Sequence, residues 1–403
     1  MNATAPPHIT AARTHIHLAD GRDLFYYDEA SHPSAHDGET VADDGVAPDR
    51  TATDTRDLPP MPGAARMRRD PLTGEWIPLA SHRMNRTHLP ARADCPLCPS
   101  KPDQAPSEIP AADYDVVVFE NRFPSLNVRD AEPASCVDGQ QIWPERASNG
   151  RCEVVCFTSD HESSFSALKP AQARVVIDAW ADRTRELMAI PSVRDVFCFE
   201  NRGEEIGVTL AHPHGQIYAY PYVPPRTAQH TARAAEHFAA MGRDLLGDML
   251  SAERSADRRV IMAGEHWTAF VPAAARWPVE VHMVPHRHVL NLAETNDAER
   301  AELAQIYPAL LRALDHFFVD ANGEAIPLPY IAGWFAAPKV EEVTEVSAQP
   351  RLHLQVISVM RAAGKLKYLA GSESAQGAWV SDTTPELIAD RLKAVVELSR
   401  VSA

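Results

Sequence analysis

The sequence predicts an α+β protein made of two similar units, each a mainly antiparallel sheet with helices packed on its faces. Three observations point to this class. Short β-branched and aromatic runs recur between turn residues, amphipathic segments of helical spacing separate them, and segments 153–161 and 280–288 share one pattern. Each of these two segments is an apolar strand that starts with Glu and ends with His, which we interpret as a trace of internal duplication.

The overall charge excludes one broad class of function. Lys and Arg number 39 and Asp and Glu 55, which gives a formal charge of −16. A dedicated nucleic-acid binder would show a basic excess instead. No run approaches the ~18 apolar residues that a membrane span needs, and the first 20 residues lack a signal-peptide pattern. We expect a cytoplasmic protein, whose six cysteines are too few for a disulfide scaffold.

The first predicted element is a β-hairpin over residues 14–28, turning at Asp20-Gly21. Residues 29–62 follow, rich in acidic, Ala, Pro and Gly residues and poor in large apolar ones. Such a stretch buries too little surface to offset its ordering entropy. We therefore predict that residues 1–65 form a hairpin followed by a mobile acidic linker.

Strands and then helices fill the rest of the chain. We predict strands at 116–119, 153–157 and 196–199. A helix separates the last two strands and begins at Pro170, with its apolar face formed by Val176, Ala179, Trp180, Arg183 and Leu187. Further helices are predicted across residues 226–250, 296–318 and 385–400. Pro308 should kink or split the second of these, and Thr384 should cap the third. We place the two units at 66–225 and 226–403.

The densest chemical signal is the segment His212-Pro213-His214-Gly215-Gln216. In an extended chain, residues two apart face the same side, so the two histidines and the glutamine could converge on one point. Pro213 would fix a bend, and Gly215 would let the backbone approach a ligand closely. Convergent polar groups of this kind suit either metal binding or attack on an electrophile.

Cys95-Pro96-Leu97-Cys98 is the second signal. Two thiolates at this spacing bind zinc when two further ligands complete a tetrahedron, but the motif also suits redox exchange. Redox pairs usually open a helix, whereas prolines at 96 and 99 indicate a loop. Metal binding is the better interpretation.

These motifs together resemble the galactose-1-phosphate uridylyltransferase family of the histidine triad superfamily. The resemblance depends on HPHGQ and CPLC, on FENRF (119–123) and FENRG (199–203), and on GKLKYLAGSE (364–373). It runs from about residue 66 to the carboxyl terminus. It implies two tandem histidine-triad-like units and a cytoplasmic enzyme that is a homodimer with shared active sites.

The resemblance also implies a ping-pong reaction. His214 would attack UDP-glucose, hold a uridylyl group, and pass it to galactose 1-phosphate, giving UDP-galactose and glucose 1-phosphate. Gln216 stands where the hydrolases of the superfamily carry histidine, so transfer is favoured over hydrolysis. The alternatives are an ADP-sugar or dinucleoside polyphosphate phosphorylase or adenylyltransferase of the same fold, and a catalytically silent nucleotide-binding or zinc-stabilised protein.

The matching positions define the expected site. By resemblance, one structural zinc ion would be held by Cys95, Cys98, His161 and His212. The nucleotide and its phosphates would contact Arg83, Arg86, Phe119, Asn121, Arg122, Phe123, Asn201, Gly207, Val208, Thr209 and Gln216. The hexose phosphate would contact Lys367, Tyr368, Ser372 and Glu373 of the partner subunit.

Two departures from the family pattern concern metal and sugar binding. Phe335 and Gln355 stand where bacterial relatives carry histidine ligands of a second, iron-type site, so we do not expect that site here. Ser372 stands where the family usually has tyrosine.

Overall fold

The computed structural model describes residues 9–30, 48, 50–61, 63, 65–80, 89–102, 104–128, 135–340 and 345–401, with side chains to residue 398. The strands within these ranges are β1 (Ala12–His17), β2 (Asp23–Asp28), β3 (Arg66–Arg69), β4 (Trp76–Leu79), β5 (Val116–Glu120), β6 (Cys136–Val137), β7 (Gln140–Ala147), β8 (Arg151–Cys156), β9 (Asp195–Arg202), β10 (His214–Tyr220), β11 (Val260–Ala263), β12 (Trp267–Phe270), β13 (Val279–Pro285), β14 (Phe318–Val319), β15 (Ala325–Ile326), β16 (Tyr330–Phe335), β17 (His353–Ser358), β18 (Met360–Ala362) and β19 (Lys365–Leu366). The α-helices are α1 (Pro170–Ala189), α2 (Pro225–Met241), α3 (Leu245–Ala256), α4 (Asp297–Asp315), α5 (Gly371–Ser374) and α6 (Pro385–Val401).

One eleven-stranded sheet, in the order β1-β2-β5-β8-β10-β9-β16-β17-β13-β12-β11, organises the molecule. Every neighbouring pair in it is antiparallel. A smaller sheet has the order β4-β3-β7-β6. This mixed, mainly antiparallel architecture confirms the predicted α+β class. No helix among the described residues is long and apolar enough to cross a membrane.

The large sheet repeats itself about its centre. Strands β5-β8-β10-β9 are followed by β16-β17-β13-β12, which is the same arrangement in reverse. Gln216 pairs with Val154 in the first half, and Gln355 pairs with His282 in the second. The pairing therefore equates residue 154 with 282, one residue away from the sequence match of 153 with 280, because apolar composition alone does not fix a strand register. The predicted boundaries at 65/66 and 225/226 stay predictions, since β9 and β16 pair directly and join the two halves.

The helices follow their sequence signals with two exceptions. Helix α1 begins at Pro170 and buries the predicted face, and Thr384 caps α6 through a 3.4 Å bond from the Leu387 amide. The predicted helical range 226–250 is two helices, because Gly242 adopts φ +65° and ends α2. Helix α4 continues through Pro308, so the predicted split does not occur.

The predicted hairpin is present as β1 and β2, with Gly21 at φ +81° in the turn. Of the predicted mobile linker, residues 31–47, 49 and 62 lie outside the described residues. Its described part makes ordered contacts: Arg50 pairs with Asp28, and Arg56 pairs with Asp54 at 2.8 Å. The mobility of the segment as a whole stays a prediction.

Candidate active site and metal centre

The HPHGQ segment leads into strand β10. His214 is the first residue of the strand, and its side chain shares one sheet face with that of Gln216. Gly215 faces the opposite side, where an added Cβ would lie 2.8 Å from the Phe157 ring. The missing side chain of Gly215 makes room for the core beneath the sheet, and the close approach of a ligand to its backbone stays a prediction.

The His214 imidazole is fixed by one hydrogen bond. Its Nδ1 lies 2.8 Å from the carbonyl oxygen of His212. A carbonyl can only accept, so Nδ1 carries the proton and Nε2 keeps its lone pair. Burial lowers the pKa of His214 below its usual value, against a smaller upward effect of this hydrogen bond. The ring is therefore neutral at pH 7 and nucleophilic at Nε2.

Two clefts, of about 220 and 230 Å³, meet at Leu210 and His214. The first contains four aromatic and polar residues of the predicted nucleotide site together with Gln216. Those four residues are Phe119, Asn121, Arg122 and Phe123. The Asn121 side-chain oxygen accepts from the Phe123 amide at 2.9 Å and so shapes this loop.

The second cleft also reaches His214, and more of the residues in its lining are polar. Asn201 and Val208 line it, whereas Thr209 lines the first cleft. Between Asn201 and Val208 in the chain, a short 3₁₀ turn ends at Gly207. Its φ of +82° is a conformation that favours glycine. His214 therefore lines both the aromatic cleft and the polar cleft.

Of the remaining predicted substrate residues, two cannot be placed and four lie outside both clefts of their own chain. Arg83 and Arg86 lie outside the described residues. Lys367 and Glu373 form a buried ion pair at 2.9 Å, and the Tyr368 residue is 83% exposed. Together with Ser372, these residues are absent from the lining of both clefts.

The four predicted metal ligands do come together. One donor atom from each of Cys95, Cys98, His161 and His212 lies within 4.8 Å of the others. Burial and the neighbouring Cys95 raise the pKa of the Cys98 thiol to about 12. A divalent cation would supply the positive charge that two adjacent thiolates need, so this donor set fits a closed tetrahedral ion.

His212 belongs to this metal group and not to a cluster with His214 and Gln216. Its Nδ1 faces the Cys98 sulfur at 3.6 Å, while its Nε2 lies 2.8 Å from the carbonyl oxygen of Thr158 and 2.9 Å from the Tyr114 hydroxyl. Donation from Nε2 to the carbonyl selects the tautomer whose Nδ1 can bind a metal. Tyr114 was not predicted as a site residue, because it lies in a loop outside any sequence motif.

A buried charged cluster behind the aromatic cleft was also missed. Glu108 lines that cleft and pairs with Arg22 at 2.6 Å, Arg56 at 2.9 Å and Arg122 at 3.7 Å. These residues come from the hairpin turn, the predicted linker, a loop and the end of β5. Because these residues are far apart in the chain, no local sequence motif predicts that they form a cluster.

In the second half of the sheet, His353 occupies the place of His214. Its Nδ1 lies 3.0 Å from the carbonyl oxygen of Arg351, which repeats the contact between His214 and His212. Here, however, the ring stacks on Phe335 with centroids 5.3 Å apart, and the Gln355 amide donates to its Nε2 at 3.1 Å. His353 lines neither of the two clefts that His214 lines. The expectation that this half lacks an iron-type site stays a prediction.

Comparisons with known proteins agree along the whole chain. The sequence model for the galactose-1-phosphate uridyl transferase N-terminal domain matches residues 61–224, and that for its C-terminal domain matches residues 228–402. A galactose-1-phosphate uridylyltransferase from Streptomyces lividans is 43% identical over 390 residues, covering 96% of this chain and 98% of that protein.

Solved structures give the same result. One described as a uridylyltransferase has a TM-score of 0.72 and 32% identity, covering 83% of this chain and 99% of that chain. An ADP-glucose phosphorylase from Arabidopsis thaliana, solved with bound ADP-glucose, has a TM-score of 0.58 and 19% identity, covering 81% and 97%. At that identity the second likeness shows the fold alone.

Proposed function

Because this chain belongs to the galactose-1-phosphate uridyl transferase family, we propose that it moves UMP from UDP-glucose to galactose 1-phosphate. The products are UDP-galactose and glucose 1-phosphate, and the enzyme is a UDP-glucose–hexose-1-phosphate uridylyltransferase. Support comes from the full-length relative at 43% identity and from an intact HPHGQ segment. The single observation that carries the mechanism is the hydrogen bond from His214 Nδ1 to the His212 carbonyl oxygen. It leaves the lone pair on Nε2, in a side chain that lines both clefts.

In the first half-reaction, Nε2 of His214 attacks the α-phosphorus. A nitrogen–phosphorus bond forms, and the bond to the glucose 1-phosphate oxygen breaks with its electron pair. The leaving group is already a phosphate and needs little protonation. The ring gains positive charge, which the carbonyl of His212 stabilises through the Nδ1 proton. A phosphate oxygen of galactose 1-phosphate then attacks the same phosphorus. The nitrogen–phosphorus bond breaks, and its electron pair returns to Nε2, which restores the neutral imidazole.

The two clefts divide the substrate between them. Phe119, Asn121, Arg122 and Phe123 would hold uridine in the aromatic cleft, and Thr209 and Gln216 would reach the ribose and α-phosphate beside it. Asn201, Gly207 and Val208 would face the phosphates from the polar cleft. Arg83 and Arg86 are assigned to the phosphates by family resemblance.

The metal centre has a positioning role in this scheme. We assign zinc to Cys95, Cys98, His161 and His212, since two thiols and two imidazoles are the donors that zinc prefers. Four protein ligands leave no position for water, so the ion is structural. It would fix His212, whose carbonyl in turn holds the His214 ring.

We also propose a homodimer in which Lys367, Tyr368, Ser372 and Glu373 reach the partner's active site. Their absence from the lining of both clefts of their own chain and the exposure of Tyr368 support this. A cytoplasmic location is proposed as well, since none of the six cysteines forms a disulfide, as expected in a reducing compartment.

Mixing two inactive variants tests the shared site. His214→Gly removes the nucleophile, and Tyr368→Ala removes an exposed sugar contact without disturbing the core. If the site is shared, dissociation and reassociation of an equal mixture should restore about a quarter of wild-type activity, because half of the dimers hold one intact site. A mixture as inactive as its components, or a monomeric mass by light scattering, would contradict the shared site.

The function itself is tested by intact-protein mass after brief incubation with UDP-glucose or ADP-glucose. We expect a uridylyl adduct on the wild type that galactose 1-phosphate discharges. His214→Gly should show no adduct while its metal content, measured by mass spectrometry, is unchanged. An adenylyl adduct would show that the protein belongs to the enzymes that act on ADP-sugars. If neither UDP-glucose nor ADP-glucose gave an adduct, the protein would be a nucleotide-binding protein without this activity.

A further inference from the structure

A second group of metal-binding side chains lies at the turn end of the amino-terminal hairpin. His15 and His17 are two residues apart on β1, so both project from one sheet face. Asp23 is the first residue of β2 and pairs directly with His17. Phe25, on the same face, belongs to the core under α1, whereas Leu24 belongs to the core under the clefts. The group is therefore on the opposite side of the sheet from the active site.

The three side chains converge on one oxygen. The Oδ1 atom of Asp23 lies 2.9 Å from Nε2 of His15 and 3.2 Å from Nδ1 of His17, and one donor atom of each residue lies within 4.8 Å of the others. As hydrogen bonds, these two contacts require a proton on both facing nitrogens. A cation could replace both protons and bind all three donors at once.

The surroundings hold the group in place. The His15 ring stacks on Phe25 with centroids 4.5 Å apart. Arg151 donates to Oδ2 of Asp23 at 2.6 Å, which orients the carboxylate and leaves Oδ1 facing the imidazoles. Burial raises the pKa of Asp23, but the hydrogen bonds from Arg151 and His15 lower it by more. The net pKa of Asp23 is below its usual value, so the carboxylate is charged at neutral pH. Carboxylates that bind metal typically accept such a hydrogen bond on their other oxygen, as Asp23 does from Arg151.

We propose that His15, His17 and Asp23 form a binding site for a divalent transition metal such as Zn²⁺ or Ni²⁺. Two imidazoles and one carboxylate suit these ions, whereas Mg²⁺ and Ca²⁺ prefer oxygen ligands throughout. The side chain of His17 is 68% exposed, so its ring can turn inward to the ~2.1 Å that a zinc–nitrogen bond requires. Water completes the coordination sphere, and the ion ties β1 to β2 beside the turn. The proposal does not depend on the proposed catalytic function.

Titration of the full-length protein with Zn²⁺ in a calorimeter tests this site. Mass spectrometry first gives the metal already bound, so that the titration reports further equivalents only. We expect one further equivalent for the wild type. His17→Ala and the isosteric Asp23→Asn should each weaken it on the order of tenfold or more. The matched control is His316→Ala, an exposed histidine whose Nδ1 lies 2.8 Å from the Arg312 carbonyl oxygen and which is not part of the proposed site.

Cobalt distinguishes this site from the cysteine-containing one. Co²⁺ bound by His15, His17 and Asp23 should absorb without the thiolate charge-transfer bands that a Cys95–Cys98 site would give. If a His17→Ala sample shows altered circular dichroism, His17→Gln serves in its place. The proposal is overturned if the wild type binds no further equivalent, or if both the His17 and Asp23 variants bind it as tightly as the wild type.

Discussion

At the scale of single residues, the proposed chemistry depends on what stands beside His214. Gln216 shares its sheet face and its cleft, and an amide neither takes nor gives a proton at neutral pH. The uridylyl intermediate is thereby shielded from activated water. The same reasoning gives a prediction about the side chain at this position.

Gln216→His should convert part of the transferase into a hydrolase. An imidazole at this position can accept a proton from water, so release of UMP from UDP-glucose without galactose 1-phosphate should rise on the order of tenfold or more. Chromatography of the nucleotide products measures this. Gln216→Asn keeps the amide and is the control: it should slow transfer without raising UMP release. Equal UMP release from both variants would show that the amide does not protect the intermediate.

Glu200, next to Asn201, gives a prediction about pH. Burial raises the pKa of Glu200 to about 8, against the lowering effect of the Tyr330 hydroxyl that donates to it at 3.0 Å. The unfolded chain releases this proton near pH 4.5 and the folded chain only near pH 8, so between these values the folded state binds more protons and stability falls as pH rises.

Glu200→Gln should remove this dependence. The neutral amide still accepts from Tyr330, so the variant should gain stability over the wild type as pH rises from 5 to 8, reaching on the order of a few kcal/mol. Denaturant unfolding at pH 5, 6, 7 and 8 measures the difference. A constant difference across this range would mean that Glu200 is already ionised in the folded protein.

At the scale of elements, residues 50–61 have a clearer role than their composition suggested. Arg56 from this segment and Arg22 from the hairpin turn both hold Glu108, whose side chain forms part of the aromatic cleft. Arg122, in the same cleft, faces the same carboxylate. The amino-terminal segment thus supports one wall of the proposed nucleotide site.

Arg56→Ala should weaken nucleotide binding. Glu108 would lose one partner and be free to pull Arg122 away from the cleft, so we expect the KM for UDP-glucose to rise about three- to tenfold, or roughly 1 kcal/mol. Initial-rate kinetics measure this, with metal content unchanged. Arg258→Ala, which breaks an exposed pair with Asp390, is the control. A normal KM in Arg56→Ala would mean that the ion pairs of Glu108 only hold residues 50–61 in place and do not affect nucleotide binding.

Features that depend on neighbouring residues could be predicted from the sequence, whereas those that depend on distant residues could not. The hairpin, α1 and α6 were predicted because a turn dipeptide, a first-turn proline and a capping threonine act on their own neighbours. The break at Gly242 has a local signal, since glycine is common just past a helix end, but one helix was predicted across it. The continuity through Pro308 depends on how α4 packs against its neighbours, which no window of sequence contains. For the same reason the metal ligands were found by resemblance, while the Glu108 cluster was found only in the structure.

At the scale of the whole molecule, the two halves are one body. Strands β9 and β16 pair along their length, and Trp180 of the first half lies 6.3 Å from Trp334 of the second, measured between ring centroids. A single apolar core includes both rings together with Tyr307 and Trp267. Neither half can bury these side chains alone.

Thermal unfolding should therefore be a single cooperative transition. Tryptophan fluorescence and transferase activity should be lost over the same temperature range. Two separable transitions, or an independently folded fragment 226–403, would show that the junction between β9 and β16 is weaker than its pairing indicates.

The eleven-stranded sheet also has two ends, at β1 and β11. An open strand edge is a template on which another chain can add, which is the first step of aggregation. Strand β11 has four residues and a register shift between Val260 and Met262, so it offers no long, flat edge. Strand β1 carries Arg13 and two histidines along six residues, and a copy docking there would have to accommodate them. Growth of the sheet from molecule to molecule is thus disfavoured at both ends, and the protein should stay dispersed at concentrations where an unprotected sheet of this width would form fibrils.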